Sequence, residues 1–298
     1  MKSRALLLGN CNSRNGASAF DAAAKELSQN GIELIRESPP DVDQLVSLIR
    51  QHRHDVDQII IVGGDGTLNA ALDGLVECSV PLGIVPSGTA NDLARTLGIP
   101  TDTAAACQVI LEGQMHPIDV GWVNGKHYFN VASLGVSVKV TEQLSKRSKS
   151  RWGILAYLLT AARVIVASRP FTASIRSEME SIQVRTIQIA VGNGRYYGGG
   201  LTIADDASIV DNRLDFYSLE IQRWWQIIPL LMAMYRGDLS RSPHARTLRG
   251  TEFTIETSRP RKLNTDGEIT TQTPAEFRVL SQAVRVFVPN GVIAESKS

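Results

Sequence analysis

The stretch that decides the fold is Gln58-Ile59-Ile60-Ile61-Val62-Gly63-Gly64-Asp65-Gly66-Thr67. Four branched apolar residues run straight into a glycine-rich turn, and a helical pattern over Thr67–Glu77 follows. An apolar run without alternation belongs to a strand buried on both faces, the signature of a parallel sheet covered by helices. The same texture extends in both directions. The spacing predicts strands at Ala5–Gly9, Ile32–Arg36 and Leu82–Val85. It predicts helices at Ala17–Gln29, Asp41–His52, Asn91–Leu97 and Thr103–Gly113. This is the pattern of a doubly wound α/β domain, and ligands in such sheets bind outside the carboxyl ends of the strands.

The turn poses a chemical conflict. Free amides and the positive end of a helix dipole make it a cradle for anions. Gly63, Gly64 and Gly66 permit close backbone approach, and Thr67 can cap the helix or bond a phosphate. Yet Asp65 would repel a phosphate. The next βα unit repeats the arrangement: Pro86-Ser87-Gly88-Thr89-Ala90-Asn91-Asp92-Leu93-Ala94-Arg95 follows Leu82–Val85 and opens another helix. Sequential units of a parallel sheet usually lie side by side, so Asp65 and Asp92 can face one crevice. A Mg²⁺ ion bridging carboxylates, waters and nucleotide phosphates removes the conflict. Asp119, in Pro117-Ile118-Asp119-Val120-Gly121, is a third candidate for that acidic network. Taken singly, each turn is also good capping chemistry, with Asp65 on the first helix and Asn91 or Asp92 on the second.

Beyond about residue 116 the texture changes. Ile118–Val123 and His127–Ala132 flank Asn124-Gly125-Lys126, a hairpin signal. Helical patterns follow at Gly135–Ser145 and Arg151–Ala167. Past Pro170, strands dominate at Phe171–Ser177, Val184–Val191, Leu214–Leu219, Glu252–Glu256 and Ala283–Val288, with one helix at Arg223–Arg236. Such hairpins predict an antiparallel β-sandwich. The expected division is 1–120 for the α/β domain and 121–288 for the sandwich, with residues near 289–298 returning to the first.

Bulk properties narrow the function classes. The net charge of +1 gives no global electrostatic case for nucleic acid. The three cysteines, Cys11, Cys78 and Cys107, have neither disulfide-framework nor zinc spacing. No His cluster suits a metal, and no GxSxG elbow supports hydrolase chemistry. No apolar run is long enough to span a bilayer, and the N-terminal apolar core is too short for a signal peptide. The expected location is cytoplasmic, with peripheral contact at the inner face of the membrane. Lys146-Arg147-Ser148-Lys149-Ser150-Arg151-Trp152 and Trp224-Trp225 are the candidate membrane-contact segments, beside their plainer readings as a solvated helix end and core residues.

Gly63-Gly64-Asp65-Gly66-Thr67, then Ser87-Gly88-Thr89-Ala90-Asn91-Asp92-Leu93-Ala94-Arg95, Asp119 and a late Asp266-Gly267-Glu268 together resemble the diacylglycerol kinase catalytic-domain family, which includes bacterial soluble lipid kinases and sphingosine kinases. The resemblance spans nearly the whole chain, in the family's motif order. It implies ATP in a cleft between an α/β domain and a β-sandwich. Gly63, Gly64, Asp65, Gly66, Thr67, Leu68, Asn69, Ser87, Gly88, Thr89 and Asn91 would then line the ATP site, and Asp65, Asp92 and Asp119 would form the Mg²⁺ network. The family's first glycine-rich turn corresponds to Asn10-Cys11-Asn12-Ser13-Arg14-Asn15-Gly16. Asn10 and Ser13 fit it, while Cys11 and Arg14 depart from it. The resemblance also puts the catalytic base in the late acidic turn, at Glu268 or Asp266, which on residue chemistry alone reads as a hairpin tip. Ser208, Asp211 and Arg213 match a loop in which some members hold a second, structural Mg²⁺; a plain turn explains that loop equally well. Asn193-Gly194-Arg195-Tyr196-Tyr197-Gly198-Gly199-Gly200 is like the family's glycine-rich segment near the cleft.

The implied activity is transfer of the ATP γ-phosphate to a lipid hydroxyl, diacylglycerol or a relative of it. Phosphatidylglycerol, sphingoid bases and ceramide suit the same machinery. An exposed sheet edge would permit a homodimer. Two rivals remain at this level. NAD kinases share the first glycine turn, and a nucleotide- or lipid-binding regulator with a degenerate site would explain Arg14.

Overall fold

A computed structural model describes residues 3–9, 14–41, 44–146, 168–197, 201–202, 207–221, 224–226 and 242–291. The first half alternates strands and helices: β1 (Arg4–Gly9), α1 (Arg14–Gln29), β2 (Glu33–Glu37), α2 (Gln44–His52), β3 (Gln58–Gly63), α3 (Asp65–Cys78), β4 (Leu82–Pro86), α4 (Asp92–Thr96) and α5 (Thr103–Glu112). Strands β2, β1, β3 and β4 lie in that order and are parallel throughout. Every residue of β3 is buried, as its unbroken apolar run requires. Leu6, Leu8, Ile59 and Ile61 share one core with Phe20 and Leu27 of α1, Leu45 and Ile49 of α2, and Leu68 and Leu72 of α3. The strand-turn-helix unit that opened the sequence reading thus sits at the centre of the α/β half. Its helix α3 closes at Ser79, whose left-handed φ of 54° turns its N–H back onto the Leu75 carbonyl.

The second half contains β5 (Gln114–Val123), β6 (Lys126–Tyr128), β7 (Val131–Gly135), α6 (Val136–Lys146), β8 (Phe171–Ser177), β9 (Ser181–Thr186), β10 (Gln188–Gly192), β11 (Tyr196–Tyr197), β12 (Leu201–Thr202), β13 (Leu214–Leu219), β14 (Ala245–Gly250), β15 (Glu252–Thr257), β16 (Lys262–Thr265), β17 (Glu268–Gln272) and β18 (Ala275–Val288). One sheet runs β14-β13-β10-β7-β16-β17. It packs on β8, β9, β15 and β18 through Leu134, Ile189, Val191 and Phe216 on one side and Phe171, Ile175, Val184, Phe253 and Phe277 on the other. This is the expected antiparallel sandwich.

Strand β18 joins the halves. It pairs with β15 and β5 antiparallel and with β4 parallel. Its Phe277 belongs to the sandwich core, while Val284, Val286 and Val288 belong to the α/β core. The chain therefore returns to the first half within β18. The sequence pattern marked only Ala283–Val288, because the pairing slips between Leu280 and Val284 and Gln282 takes a left-handed φ of 53°. A bulge of that kind breaks alternation.

Two other expectations change. His127–Ala132 is not one strand: the chain bends at Phe129-Asn130 between β6 and β7. Val184–Val191 is also two strands, because the chain switches sheets at Ile187. There the Thr186 hydroxyl bonds the carbonyls of Gln188 (2.8 Å) and Leu219 (2.9 Å). The expected helix Arg151–Ala167 lies outside the described residues. Of Arg223–Arg236 only Trp224–Gln226 is described, as a 3₁₀ turn. Among the described residues no helix is long and apolar enough to cross a membrane.

Candidate active site

The two glycine turns meet backbone to backbone. Gly63 pairs with Pro86 at the ends of β3 and β4, and the Ser87 N–H donates to the Gly63 carbonyl at 3.0 Å. A Cβ on Gly88 would stand 2.6 Å from the Gly64 Cα, and one on Gly64 would stand 2.9 Å from the Gly88 Cα. No side chain fits between these turns, so glycine is required by close approach at both positions. Gly66 has open space where its Cβ would point. Thr67 instead turns inward beneath Gly63 and is buried.

The capping roles differ from the simplest reading. Gly64, not Asp65, holds the N-cap position of α3. Asp65 reaches across and its Oδ1 accepts the Leu93 N–H at 3.2 Å, which caps α4 from outside. Asn91 sits in the left-handed region with φ 50° and makes no side-chain cap. Its carboxamide closes on Gly88, accepting the Gly88 N–H at 3.0 Å and donating to the Gly88 carbonyl at 2.9 Å. The amides of Thr67 and Leu68 both bond the Gly64 carbonyl, and the Leu68 side chain is in the core. The amides open to a ligand at this turn are therefore those of Asp65 and Gly66, at the positive end of α3. Asn69, one turn on, keeps a buried carboxamide oxygen without a hydrogen bond among the described residues. Asp92 is buried beside Asp65's turn, with Arg95 at 4.0 Å.

The late acidic turn comes from the sandwich. Asp266 (φ 46°) and Gly267 (φ 100°) join β16 to β17. Positive φ at both central residues is the mirror-type hairpin turn for which Asp-Gly is suited. The Asp266 carboxylate is gripped by the bend between β6 and β7. Its Oδ2 accepts the Phe129 N–H at 2.7 Å, and its Oδ1 accepts those of Asn130 at 3.0 Å and Val131 at 2.9 Å. Burial pushes its pKa up to about 7, against the three amides that favour the ionised form; the Asp65 charge adds to the rise. Glu268 begins β17 and is exposed, with no hydrogen bond or ion pair among the described residues.

The Asp266 shift has a consequence for stability. Its folded pKa of about 7 lies above the unfolded carboxylate value of about 3.9, so the folded state holds the proton more tightly. This contribution is fully present below about pH 4 and is lost as pH rises toward 7. Urea unfolding at pH 5 and pH 8 should therefore show the gap between wild type and Asp266→Asn narrowing as pH rises. A gap that widens would contradict the raised pKa.

Asp119 faces another way. It is buried, with its Oδ2 on the Asn212 N–H (2.7 Å) and its Oδ1 on the Gln282 N–H (2.8 Å). It anchors the loop of Ser208, Asp211 and Arg213 to the bulge of β18. In that loop Asp211 Oδ1 accepts the Arg213 N–H at 3.2 Å. Burial, then the Asp215 charge, raises Asp211 to about 6, and Asp119 adds to the rise. Among the described residues no group of three His, Cys, Asp or Glu side chains is arranged as a ready metal cage. Asn10 and Ser13 lie outside the described residues, as does the side chain of Arg14.

The glycine-rich segment and α4 also meet, and Asp73 and His127, which carry no sequence signal, form a pair. The Arg95 guanidinium lies 5.8 Å from the Tyr196 ring centroid and that of Arg195 lies 5.5 Å from it, which ties the glycine-rich segment to α4. Asp73 of α3 holds His127 of β6 at 2.7 Å. That hydrogen bond is the first cause of the lowered Asp73 pKa. Asn193 bonds both Phe129 and Asp119.

Comparison with known proteins agrees with this fold. Residues 4–123 match the family described as diacylglycerol kinase catalytic domain, and residues 130–288 match the YegS C-terminal NAD kinase beta sandwich-like domain. A diacylglycerol kinase of Bacillus subtilis (strain 168) is 31% identical over 234 residues, covering 78% of this chain and 77% of that protein. A diacylglycerol kinase of Staphylococcus saprophyticus is 28% identical over 236 residues, with the same coverage of 78% and 77%. A crystal structure of a diacylglycerol kinase from Bacillus anthracis str. Sterne superimposes with TM-score 0.75 over 98% of both chains, at 21% identity. Another structure from that organism reaches TM-score 0.82 at 22% identity, covering 98% of this chain and 97% of its own. At such identities the structural likeness bears on the fold.

Proposed function

This chain belongs to the diacylglycerol kinase catalytic-domain family, and from that premise we propose that it transfers the γ-phosphate of ATP to the hydroxyl of a membrane lipid, diacylglycerol first among them. The observation that carries the reading is the close approach of the two glycine turns, Gly64 against Gly88, with Asp65 capping α4 beside the open amides of α3; the sandwich supplies the acidic turn Asp266-Gly267-Glu268.

The donor set fits nucleotide and magnesium. The amides of Asp65 and Gly66 and the open space at Gly66 suit phosphate oxygens. Asp65 spends one oxygen on Leu93 and keeps the other, and Asp92 lies in the adjoining turn. Asp65 and Asp92 would hold the ion, through waters where direct contact fails. Asp119 would act only through water, since each of its oxygens already accepts an amide. Mg²⁺ bound there would supply charge neutralisation on the transferring phosphate.

The chain's own residues then divide the work. The α3 amides orient the phosphates. Asp266, held by three amides, fixes the hairpin tip. Glu268 projects from that tip without a side-chain partner among the described residues and accepts the proton of the lipid hydroxyl as its oxygen attacks in line. The lipid would be drawn from a membrane by a cytoplasmic protein that contacts it peripherally.

The test is transfer of labelled γ-phosphate into a panel of lipids in mixed micelles with Mg²⁺, with NAD⁺ in parallel. Label in diacylglycerol is the expected result. Label in another lipid alone would keep the reaction class and change the substrate. Label in NADP⁺ alone would overturn the reading in favour of an NAD kinase. Bound ATP with no labelled acceptor would favour a regulator.

A further inference from the structure

The bend at Phe129-Asn130 is held on both sides. Its N–H groups at 129, 130 and 131 point to Asp266. Its carbonyls point the other way, and Asn193 takes them. The Asn193 Nδ2 donates to the Phe129 carbonyl at 2.8 Å and to the Asp119 carbonyl at 3.0 Å. The Asn193 N–H donates to the Asn130 carbonyl at 2.8 Å, joined by the Gly194 N–H at 3.2 Å. Two carbonyl partners fix which end of the carboxamide faces inward, because only the NH₂ can donate. Asn193 is 2% exposed, so these bonds form out of water's reach.

We propose that Asn193 is the positioning residue of the acidic turn, clamping the amide bend that seats Asp266 to strand β5 and so setting where Glu268 stands. This rests on the phosphoryl-transfer reading above. A chain of contacts gives it reach. Asn193 stands just past the end of β10, and the segment it opens carries Tyr196 to Arg95 of α4, with Arg195 over the same ring. One side chain therefore links the acidic hairpin, the strand bearing Asp119, and the segment that touches the nucleotide half. Gly194 follows because a Cβ there would come within 3.0 Å of the Asn130 Oδ1.

Asn124 supplies a solvent-exposed control. Its Nδ2 also donates to two carbonyls, Gln272 at 3.2 Å and Pro274 at 3.0 Å, but at the β5–β6 turn. Asn→Asp at either position keeps the shape and replaces the donor by an acceptor that repels those carbonyls.

The experiment compares Asn193→Asp and Asn124→Asp in the full chain by steady-state kinetics, thermal melts and hydrogen exchange at the 129–131 amides. Asn193→Asp should lower kcat by about 10²-fold, as a misplaced catalytic group does, with KM for ATP within about threefold. It should also expose the 129–131 amides to exchange. Asn124→Asp should leave kcat and those amides unchanged. If the buried charge prevents folding, Asn193→Ala removes the donor without it and should show the same split at about tenfold. Protected amides in the Asn193 variants, or equal kcat losses at the two positions, would overturn the proposal. If wild type phosphorylates no lipid, the functional reading fails, while exchange at 129–131 still decides whether Asn193 holds the bend.

Discussion

Asp65→Asn should leave a folded protein whose kcat falls on the order of 10²–10³-fold, the loss typical of removing one preorganised electrostatic group. The fold survives because Asn keeps the oxygen that the Leu93 N–H reaches at 3.2 Å, and with it the cap on α4. What disappears is the charge beside the open α3 amides. If that carboxylate holds Mg²⁺, the variant should need far more Mg²⁺ for its residual rate. A second effect has a definite sign: the Asp65 charge helps raise the Asp266 pKa, so neutralising it should bring Asp266 down from about 7. Kinetics across a Mg²⁺ titration, with a melt, check the first effect, and carboxyl NMR of Asp266 checks the second. Near-normal turnover with unchanged metal dependence would remove Asp65 from the metal site.

What could be read from the sequence was local or periodic. The β3–α3 and β4–α4 turns each occupy about ten consecutive residues, and their neighbourhood followed from the side-by-side rule for βα units. Gly64 against Gly88 is the physical payload of that rule. The grip on Asp266 was not legible, because it joins residues 135 to 137 positions apart through backbone N–H groups, which carry no residue-type signature. Asn193 opens the segment that resembles the family's glycine-rich one, but its contacts were hidden for the same reason: its side-chain partners are carbonyls. Strand β14 gives no periodic signal because Ala245–Gly250 holds one large apolar residue, Leu248, and lies at the edge of its sheet. Asp119 is a candidate for the acidic network in the sequence, but the bonds of its carboxylate to the Asn212 and Gln282 N–H groups were not legible there, because they join it to backbone 93 and 163 positions away.

The second large effect separates the two carboxylates of the late turn, which sequence left as alternatives for the base. Their surroundings differ in kind. Asp266 spends its oxygens on three amides, so it is an anchor. Glu268 is exposed at the start of β17, and its carboxylate has no partner among the described residues to lose. Glu268→Gln should therefore leave the melting temperature and KM for ATP unchanged while lowering kcat by about 10²–10⁴-fold, the range for loss of a general base. Asp266→Asn should behave differently, because a carboxamide presents an NH₂ to a bend that offers only donors. It should lose about 1–3 kcal/mol of stability as well as turnover. The roles would exchange if Glu268→Gln kept its kcat within about threefold while Asp266→Asn lost turnover without losing stability. A group that only holds the turn cannot be removed without the turn loosening, and a group that only takes a proton can.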